Sequence, residues 1–386
     1  MKVLYITNYD TMGGANHCLC EMSLYMQRYH NVEPYILVPS GGTIEAKLKP
    51  YGIKFIFHTF RISAVDENIK YKPFRKLTRK IMRYKEFYAV LDMIDRQGLT
   101  FDLVHTNTSI TDIGLFLAKK WGVPHVWHFR EILKDGYPLE YVWGKREFTQ
   151  KLLQSSQIIT ISEALAKRIE GYSLKINNIQ IYDGVEIRPP YVKKYCEGGI
   201  VHFCMVGMIY EQKNQMDAVK ACKILTSKGY TDFSLTIIGP TEGNYYHKIL
   251  NYIKEARLNP YICFTGYQSD VGSVLEHMDV GIMATNNEAF GRVTVEYMSN
   301  YMPVIGARSG ATPELVSFMN LLYEVNHIEE LANRMIYCID HRNEMQNIGR
   351  QARKVSETYT VKNNCEQIWS VYQEILKNKQ DFANNR

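Results

Sequence analysis

Short, nearly continuous apolar runs alternate with longer amphipathic segments along most of this 386-residue chain. Runs of this kind are typical of parallel β-strands that are buried on both faces, with helices as the crossover connections. The alternation weakens at residues 189–199, which hold Pro189-Pro190 and Gly198-Gly199, and it then starts again. The pattern therefore predicts an α/β protein with two Rossmann-like domains, whose parallel sheets face each other across a cleft.

Domain bounds follow from this alternation and from a helical pattern that runs from Ile328 to about residue 378. We expect an N-terminal domain at 1–188, a linker at 189–199 and a C-terminal domain at 200–362. Residues 363–386 should form a C-terminal helix that packs back on the N-terminal domain and frays at its end. The predicted strands are 2–7, 35–39, 54–58, 103–107, 125–129, 157–161 and 179–182 in the first domain, and 201–206, 235–238, 262–265, 280–284, 304–307 and 321–323 in the second.

Composition excludes several classes of protein. A hydrophobic content of 46% with 22% charged residues is typical of globular domains, and no apolar run reaches the roughly 18 residues that span a bilayer. The first residues predict a strand and not a signal peptide, and eight scattered cysteines suggest free thiols in a reducing compartment. We expect a cytoplasmic protein, with the inner face of the membrane as a possible location, and neither a bound metal nor a nucleic-acid partner.

Positive charge is concentrated in the first half of the chain. Through residue 190 there are 26 Lys and Arg against 19 Asp and Glu, whereas the remainder has 20 against 21, and the two differences sum to the net charge of +6. A basic first half suggests an anionic substrate or surface on that side of the protein.

The densest basic segment lies at residues 70–88, where apolar residues recur at i, i+3 and i+4 spacing opposite a cationic face. Two interpretations remain open: a core-packed helix with a solvated basic face, or a helix that contacts an anionic membrane or acceptor. The apolar residues are Phe74, Leu77, Ile81, Tyr84 and Tyr88, and the basic ones are Lys70, Lys72, Arg75, Lys76, Arg79, Lys80, Arg83 and Lys85.

Gly13 and Gly14 follow the first predicted strand and open a helix. Glycines at that place allow backbone N–H groups to approach a phosphate at a helix N-terminus. The segment is not a GxGxxG motif, and no acidic residue follows where a ribose would be bound. A plain strand–helix turn explains the two glycines nearly as well.

Gly207 and Lys213 follow the first predicted strand of the second domain. Ligands bind at the strand ends of an open α/β sheet, and a lysine placed there can neutralise a diphosphate leaving group. The alternative interpretation is a surface lysine in a connecting loop.

Residues 286–296 are the most informative segment. The strand predicted at 280–284 leads into a loop that holds Glu288, and a helix starts near Gly291 and carries Glu296. Backbone N–H groups at the start of that helix would face an anion, which the helix dipole also favours. Glu296 would accept both hydroxyls of a ribose, and Glu288 would reach a sugar ring beyond the phosphates. The spacing therefore predicts a nucleotide-sugar that lies across the helix N-terminus.

Further motifs occur in the order of a known family. The chain resembles the family 4 glycosyltransferases of the GT-B fold, whose mark is two glutamates separated by seven residues in this strand–loop–helix setting. The resemblance covers nearly the whole chain. Besides Gly13-Gly14 and the two glutamates, it is carried by segments 104–107, 124–131, 159–162, 182–185 and 309–314.

The resemblance implies a retaining, metal-independent transfer of a hexosyl or N-acetylhexosaminyl group from a nucleotide-sugar, usually UDP-linked. The leaving phosphate would take the proton of the acceptor on the same face of the sugar. The implied acceptor is a glycan or lipid-linked glycan of a surface polysaccharide, bound by the N-terminal domain, while the C-terminal domain binds the donor. The nucleotide-sugar is a co-substrate, so no cofactor is expected.

The resemblance also implies roles for single residues. Glu288, Lys213 and His128 would be catalytic: Lys213 stabilises the departing diphosphate and Glu288 binds sugar hydroxyls. His128 would lie near the donor sugar, although a structural histidine at a strand end is the alternative. Glu296 would bind the ribose, and Gly14 the phosphate or the acceptor side. The donor-binding set is completed by Gly13, Gly207, Ala289, Phe290, Gly291 and Arg292.

One position departs from the family pattern. Many members have an arginine directly after the glycine that precedes this lysine, and here the residue is Met208. The change implies weaker donor binding, a replacement cation, or a chain that binds without catalysing. A non-catalytic GT-B subunit that binds or modulates a partner is therefore the alternative function, although the retention of Lys213, Glu288 and Glu296 favours an enzyme. A Rossmann oxidoreductase is more distant, because the dinucleotide fingerprint is missing.

Overall fold

The computed structural model describes residues 1–133, 138–193 and 199–384. The chain divides into two compact units, one formed by Met1–Gly184 with Val361–Arg386 and the other by Val185–Thr360. Within the described residues, no helix is both long enough and apolar enough to cross a bilayer.

The first unit is built on a seven-stranded parallel sheet with the order β3-β2-β1-β5-β6-β8-β9. Two further strands pair antiparallel as a short ribbon that the sequence pattern did not predict. The strands are β1 (Lys2–Ile6), β2 (Glu33–Val38), β3 (Lys54–Phe57), β4 (Ala64–Asp66), β5 (Leu103–Thr106), β6 (His125–Phe129), β7 (Leu139–Tyr141), β8 (Gln157–Thr160) and β9 (Asn178–Gln180), with β4 and β7 forming the ribbon.

The second unit holds a six-stranded parallel sheet with the order β12-β11-β10-β13-β14-β15. Its strands are β10 (Val201–Val206), β11 (Phe233–Ile238), β12 (Ile262–Gly266), β13 (Val280–Met283), β14 (Val304–Ala307) and β15 (Leu322–Tyr323). In both sheets, every strand lies within two residues of its predicted bounds, because near-continuous apolar runs are specific for strands covered on both faces.

Helices connect the strands in both units. Those of the first unit are α1 (Gly14–His30), α2 (Thr43–Leu48), α3 (Lys72–Arg96), α4 (Ile113–Trp121), α5 (Lys145–Gln154) and α6 (Glu163–Glu170). Those of the second are α7 (Gln215–Ser227), α8 (Asn244–Glu255), α9 (Val271–Leu275), α10 (Arg292–Ser299), α11 (Thr312–Leu315), α12 (Ile328–Asp340) and α13 (Arg342–Ser356).

The last helix, α14 (Val361–Asn384), belongs to the first unit. Cys365, Ile368 and Tyr372 are fully buried in the same core cluster as Leu19 of α1. The helix continues to Asn384 instead of ending near residue 378 as predicted.

The division between the units falls after Gly184, four residues before the predicted bound, and again after Thr360 instead of at 362. Val185 donates its N–H to the carbonyl of Tyr359 at 2.8 Å, which ties the start of the second unit to its end. Part of the predicted linker also packs on the second unit, because Lys193 Nζ donates to the carbonyl of Leu275 at 2.9 Å. Linker residues 194–198 lie outside the described residues.

Helix α3 turns its predicted apolar face towards solvent, whereas a core-packed helix would turn that face towards the protein. Its apolar stripe, which we define as Phe74, Leu77, Ile81, Tyr84 and Tyr88, is exposed. Five of its cations turn towards the protein, since a charged side chain is buried at lower cost when it finds an opposite charge or a carbonyl. Lys72 and Lys76 pair with Glu140, Lys80 pairs with Glu147, Arg79 donates to the carbonyl of Ala64, and Arg83 is fully buried beside Asp112.

Candidate active site

The candidate donor site lies at the carboxyl ends of β10 and β13. These strands are neighbours in the second sheet, while β11 pairs with the other side of β10. The chain thus leaves β10 and β13 in opposite directions along the sheet, which opens a crevice of the kind where α/β proteins bind ligands. Lys213 follows β10 and Glu288 follows β13, so the topology brings together two residues that are 75 positions apart.

Lys213 and Glu288 form a direct ion pair, with Lys213 Nζ donating to Glu288 Oε2 at 2.7 Å. Burial alone would lower the pKa of Lys213, but the Glu288 carboxylate outweighs it and the lysine pKa is raised. Burial would raise the pKa of Glu288, yet Lys213, with hydrogen bonds from Thr285 and the Ala289 backbone, lowers it. Both groups therefore stay charged at neutral pH.

The loop that carries Glu288 is held by the loop that follows β14. Ser309 Oγ accepts from the N–H of Asn287 at 2.9 Å, and the N–H of Ala311 donates to the Glu288 carbonyl at 2.9 Å. Gly310 has φ +55°, and a Cβ there would lie 2.3 Å from the carbonyl oxygen of Glu288. Only glycine fits this approach, so the loop fixes the backbone of the candidate catalytic glutamate.

Helix α10 begins directly after this loop. Its N-cap is Gly291 at φ +94°, where a Cβ would come within 3.3 Å of Glu288 Cγ, so glycine allows the glutamate to lie against the helix start. Arg292 is the first helical residue and Glu296 the fifth, and both are partly buried. Phe290 is buried and packs edge-on against the ring of Tyr359 at 5.8 Å.

Gly207 directly follows β10 on one side of the crevice. Its N–H donates to the carbonyl of Ile238 at 2.9 Å. Met208, the residue that replaces the family arginine, is 66% exposed and leaves its side chain in solvent. A longer side chain at this position would therefore meet solvent and not a packed core.

Gly13 and Gly14 lie in the first unit, at the N-terminus of the 17-residue helix α1. Both are exposed, and a Cβ added at either would meet nothing within 4 Å. The first turn of α1 holds no acidic residue, so its N–H groups and positive dipole end are available to an anion.

Asn16, which sequence reasoning missed, shapes the loop in front of these glycines. Its Nδ2 donates to the carbonyls of Tyr9 and Thr11 at 3.0 and 2.7 Å, and its Oδ1 accepts from Thr7 Oγ1 at 2.7 Å. An asparagine two residues into a helix is an ordinary sequence feature, so only the structure reveals this role.

His128 lies in β6 and is fully buried. Its Nδ1 is 3.3 Å from Arg130 and 3.2 Å from His105 Nε2, while His105 Nδ1 is 2.6 Å from the Tyr372 hydroxyl. An arginine can only donate, so His128 Nδ1 must be an acceptor and its proton is on Nε2. His105 then donates through Nε2 and accepts from Tyr372. Among the described residues, His128 Nε2 has no partner.

This arrangement makes His128 a neutral hydrogen-bond donor. Burial, together with the charge of Arg130 and the neighbouring His105, holds the pKa of His128 well below its usual range. A histidine that stays neutral is poorly suited to act as a general base with a pKa near neutrality. Its Nε2–H is also fully buried, which favours the structural interpretation of His128 over a direct contact with the donor sugar.

Arg130 connects His128 to the glycine loop. It forms a buried ion pair with Asp183, and its Nε donates to Asn107 Oδ1 at 2.8 Å. Asn107 Nδ2 in turn donates to the carbonyl of Ala15 in α1 at 2.9 Å. The start of α1 and residues at the ends of β5 and β6 are thus joined in one buried polar network.

Buried neutral histidines predict a pH dependence of stability. Burial lowers the pKa of His125 to about 3, and the pKa values of His105 and His128 also lie well below normal. In the unfolded chain these groups take up protons below about pH 6.5. The unfolded state then binds more protons than the folded state. As the pH is lowered, the free energy of unfolding therefore falls by up to about 1.4 kcal/mol per pH unit for each such histidine. Urea unfolding between about pH 7 and 5 measures this slope, and a flat profile would contradict the neutral assignment.

No group of three or more His, Cys, Asp or Glu side chains that could hold a metal ion occurs in the described part of the chain.

Comparison with known proteins identifies the family. Residues 12–187 match the family model described as Glycosyltransferase Family 4, and residues 199–355 match the one described as Glycosyl transferases group 1. The chain belongs to these glycosyltransferases, and the predicted enzyme class is confirmed.

Curated relatives are distant. The chain is 26% identical to N-acetyl-alpha-D-glucosaminyl L-malate synthase of Bacillus anthracis over half of each protein. It is 26% identical to the capsular polysaccharide biosynthesis glycosyltransferase CapM of Staphylococcus aureus, over 63% of this chain and 69% of CapM.

Solved structures confirm the predicted GT-B fold. Anabaena HepE in complex with UDP matches with a TM-score of 0.78 at 18% identity, covering 97% of this chain and 100% of HepE. A glycosyltransferase of Rickettsia africae matches with a TM-score of 0.77 at 18% identity, covering 98% of this chain and 99% of that protein.

Proposed function

We propose that this protein is a retaining glycosyltransferase that moves a sugar from a UDP-sugar to a glycan or lipid-linked glycan, without a metal ion, in the synthesis of a surface polysaccharide. The observation that carries the proposal is the Lys213–Glu288 pair at the crevice between β10 and β13, directly before the N-terminus of α10. A cation, a carboxylate and a helix N-terminus are the groups that a diphosphate-linked sugar requires.

In this proposal, each group of the donor site meets one part of the donor. Lys213 and the N–H groups at the start of α10 stabilise the charge that grows on the departing diphosphate. Glu288 accepts hydrogen bonds from the sugar hydroxyls, and Glu296 accepts them from the ribose. The leaving phosphate oxygen takes the acceptor proton, so the new bond forms on the face that the nucleotide leaves.

What is known of two similar proteins supports the proposed donor and acceptor classes. HepE was crystallised with UDP-glucose as well as with UDP, and CapM is a capsular polysaccharide biosynthesis glycosyltransferase. A UDP-sugar and a polysaccharide acceptor are therefore the classes to test first in this protein.

The deciding experiment is UDP release from a panel of UDP-sugars, offered together with a panel of glycoside acceptors in a buffer that contains EDTA. Release above the rate of a Lys213→Ala, Glu288→Ala double variant supports an enzyme that needs no metal. Binding of UDP without release supports the non-catalytic subunit instead, and activity that returns only with magnesium or manganese contradicts the metal-independent mechanism.

Arg292 is the proposed second cation for the diphosphate. It is the first residue of α10, where a cation opposes the helix dipole by a few tenths of a kcal/mol. We predict that Arg292→Ala lowers kcat/KM by about as much as Lys213→Ala, and that Met208→Arg partly restores the Arg292→Ala variant. Steady-state kinetics of the three variants check this. Normal kinetics for Arg292→Ala would contradict this role and leave only Lys213 and the backbone N–H groups to stabilise the leaving diphosphate.

The exposed apolar stripe of α3 supports a contact with an anionic membrane. The contact would be made by the apolar face of the helix and not by the cationic face that the sequence suggested. Phe74, Leu77 and Ile81 are 66, 56 and 62% exposed, whereas most of the neighbouring cations are engaged inside the protein. Arg75 and Lys85 remain exposed beside the stripe. Apolar residues flanked by cations are what an interfacial helix presents to acidic lipid.

We predict that changing Phe74, Leu77 and Ile81 together to Ser weakens binding to acidic vesicles at least about tenfold, since each side chain loses up to about 1.5–3 kcal/mol of burial. Melting temperature should not fall, because these side chains are already in solvent. Vesicle sedimentation measures the binding, and Leu174→Ser, at a residue that is 89% exposed, is the matched control. Equal binding by the triple variant and the control would refute the membrane contact.

A further inference from the structure

The first unit contains a cavity of about 730 Å³ to which none of the proposed catalytic or donor-binding residues contributes. Its volume falls in the range of about 300–1,000 Å³ that is typical of ligand pockets. The walls come from β6, the β4–β7 ribbon, α5 and α6. Five aromatic residues, Phe129, Tyr141, Trp143, Phe148 and Tyr172, are among those that line it.

The aromatic rings form one continuous wall. Trp143 stacks on Phe148 with ring centroids 5.4 Å apart and an interplanar angle of 6°. Tyr141 lies 4.3 Å from the same ring, and Tyr172 meets it edge-on at 5.0 Å. Phe129, Trp143 and Phe148 are themselves buried, so the ring surface that this wall offers to a ligand comes from the partly exposed Tyr141 and Tyr172. Such ring surface suits the C–H face of a pyranose ring.

A carboxylate at the cavity suits the hydroxyls of a sugar. Glu131 is oriented by donors on both oxygens, Thr108 Oγ1 at 2.7 Å and the Ser109 N–H at 2.8 Å. A carboxylate accepts about four hydrogen bonds, so Glu131 keeps capacity for ligand hydroxyls.

The charges at the cavity are of both signs. Lys76, Lys145 and Arg168 line it together with Glu131 and Glu140, so three cations meet two carboxylates. Lys76 is already paired with Glu140 at 2.7 Å. A phosphate bound here would also face the carboxylates of Glu131 and Glu140, which repel it, whereas the hydroxyls of a neutral sugar can donate hydrogen bonds to them.

We propose that this cavity binds a neutral sugar ring of the glycan acceptor, with the ring on the aromatic wall and hydroxyls at Glu131. The proposal rests on the glycosyltransferase function proposed above and assigns the acceptor class within it.

Gly144 offers a way to fill the cavity without straining the backbone. It lines the cavity with φ −75° and ψ 166°, and a Cβ there meets nothing within 4 Å. Gly144→Phe should place a ring in the cavity. Gly144→Ala is the matched control, because it makes the same change at the N-cap of α5 without the bulk.

The test titrates the full chain with methyl glycosides of glucose, galactose and N-acetylglucosamine, and separately with UDP, by calorimetry and tryptophan fluorescence. We expect saturable binding of at least one glycoside by the wild type and by Gly144→Ala, and its loss in Gly144→Phe. Glu131→Gln, which keeps the size of the side chain but removes the charged acceptor, should bind the glycoside about five- to tenfold more weakly. UDP affinity should be the same in all variants.

The cavity assignment is overturned if the wild type binds no glycoside, or if Gly144→Phe binds it as the wild type does. Either result overturns it regardless of the UDP affinity. Binding of octanol or inorganic phosphate in place of glycosides, with loss in Gly144→Phe, also overturns it, in favour of a lipid or phosphate site. Glycoside binding without any UDP binding would instead uphold the cavity and count against the proposed function.

Discussion

Replacing Lys213 with Ala is expected to lower kcat/KM for sugar transfer by about a hundredfold or more, the size of effect seen when one preorganised electrostatic group is lost. The lysine forms an ion pair with Glu288, with Lys213 Nζ 2.7 Å from Glu288 Oε2. Its loss removes stabilisation from the leaving diphosphate and leaves a partly buried carboxylate unpaired. Steady-state kinetics with the preferred UDP-sugar give the measurement.

Coupling between the two residues is part of the same expectation. Lys213→Ala combined with Glu288→Ala should cost less than the product of the single losses, because residues in direct contact are not additive. Lys248→Ala is the matched control, since Lys248 lies on the surface of the same unit, 3.9 Å from Glu211. A Lys213→Ala enzyme with the kinetics of the control would remove Lys213 from the mechanism.

Replacing Glu296 with Ala is expected to weaken UDP binding by about ten- to a hundredfold. A ribose that loses a charged acceptor loses roughly 1.5–3 kcal/mol. Glu288→Ala should leave UDP affinity nearly unchanged and lower turnover instead, because in the proposed mechanism Glu288 binds the sugar and not the nucleotide.

Calorimetric titration with UDP separates these two roles. Glu255→Ala, at an exposed residue of α8, is the control and should bind UDP like the wild type. Equal losses of UDP affinity in the Glu288 and Glu296 variants would show that the roles of the two glutamates are wrongly assigned.

The fold could be predicted from the sequence because strands covered on both faces leave an apolar signature that does not depend on their partners. The same signature placed Lys213 and Glu288 after strands and therefore at the ligand-binding edge of a sheet. It could not show that their side chains pair. That contact depends on β10 and β13 being neighbours, and strand order is a property of the whole sheet.

Helix α3 shows a second limit. Its periodicity revealed two faces, but not which of them turns inward. The acids that draw its cations inward, Asp112, Glu140 and Glu147, lie on other segments of the chain. The His128 network is similar, because its outer member, Tyr372, is 267 residues from His105.

The most direct measurement of the central claim is a proton NMR time course of the full chain with α-linked UDP-sugars and glycoside acceptors. The proposed mechanism predicts that UDP appears together with a new α-linked anomeric signal, and that the Lys213→Ala, Glu288→Ala variant forms neither product. A β-linked product, or donor that stays intact across the whole panel while UDP still binds, would contradict it.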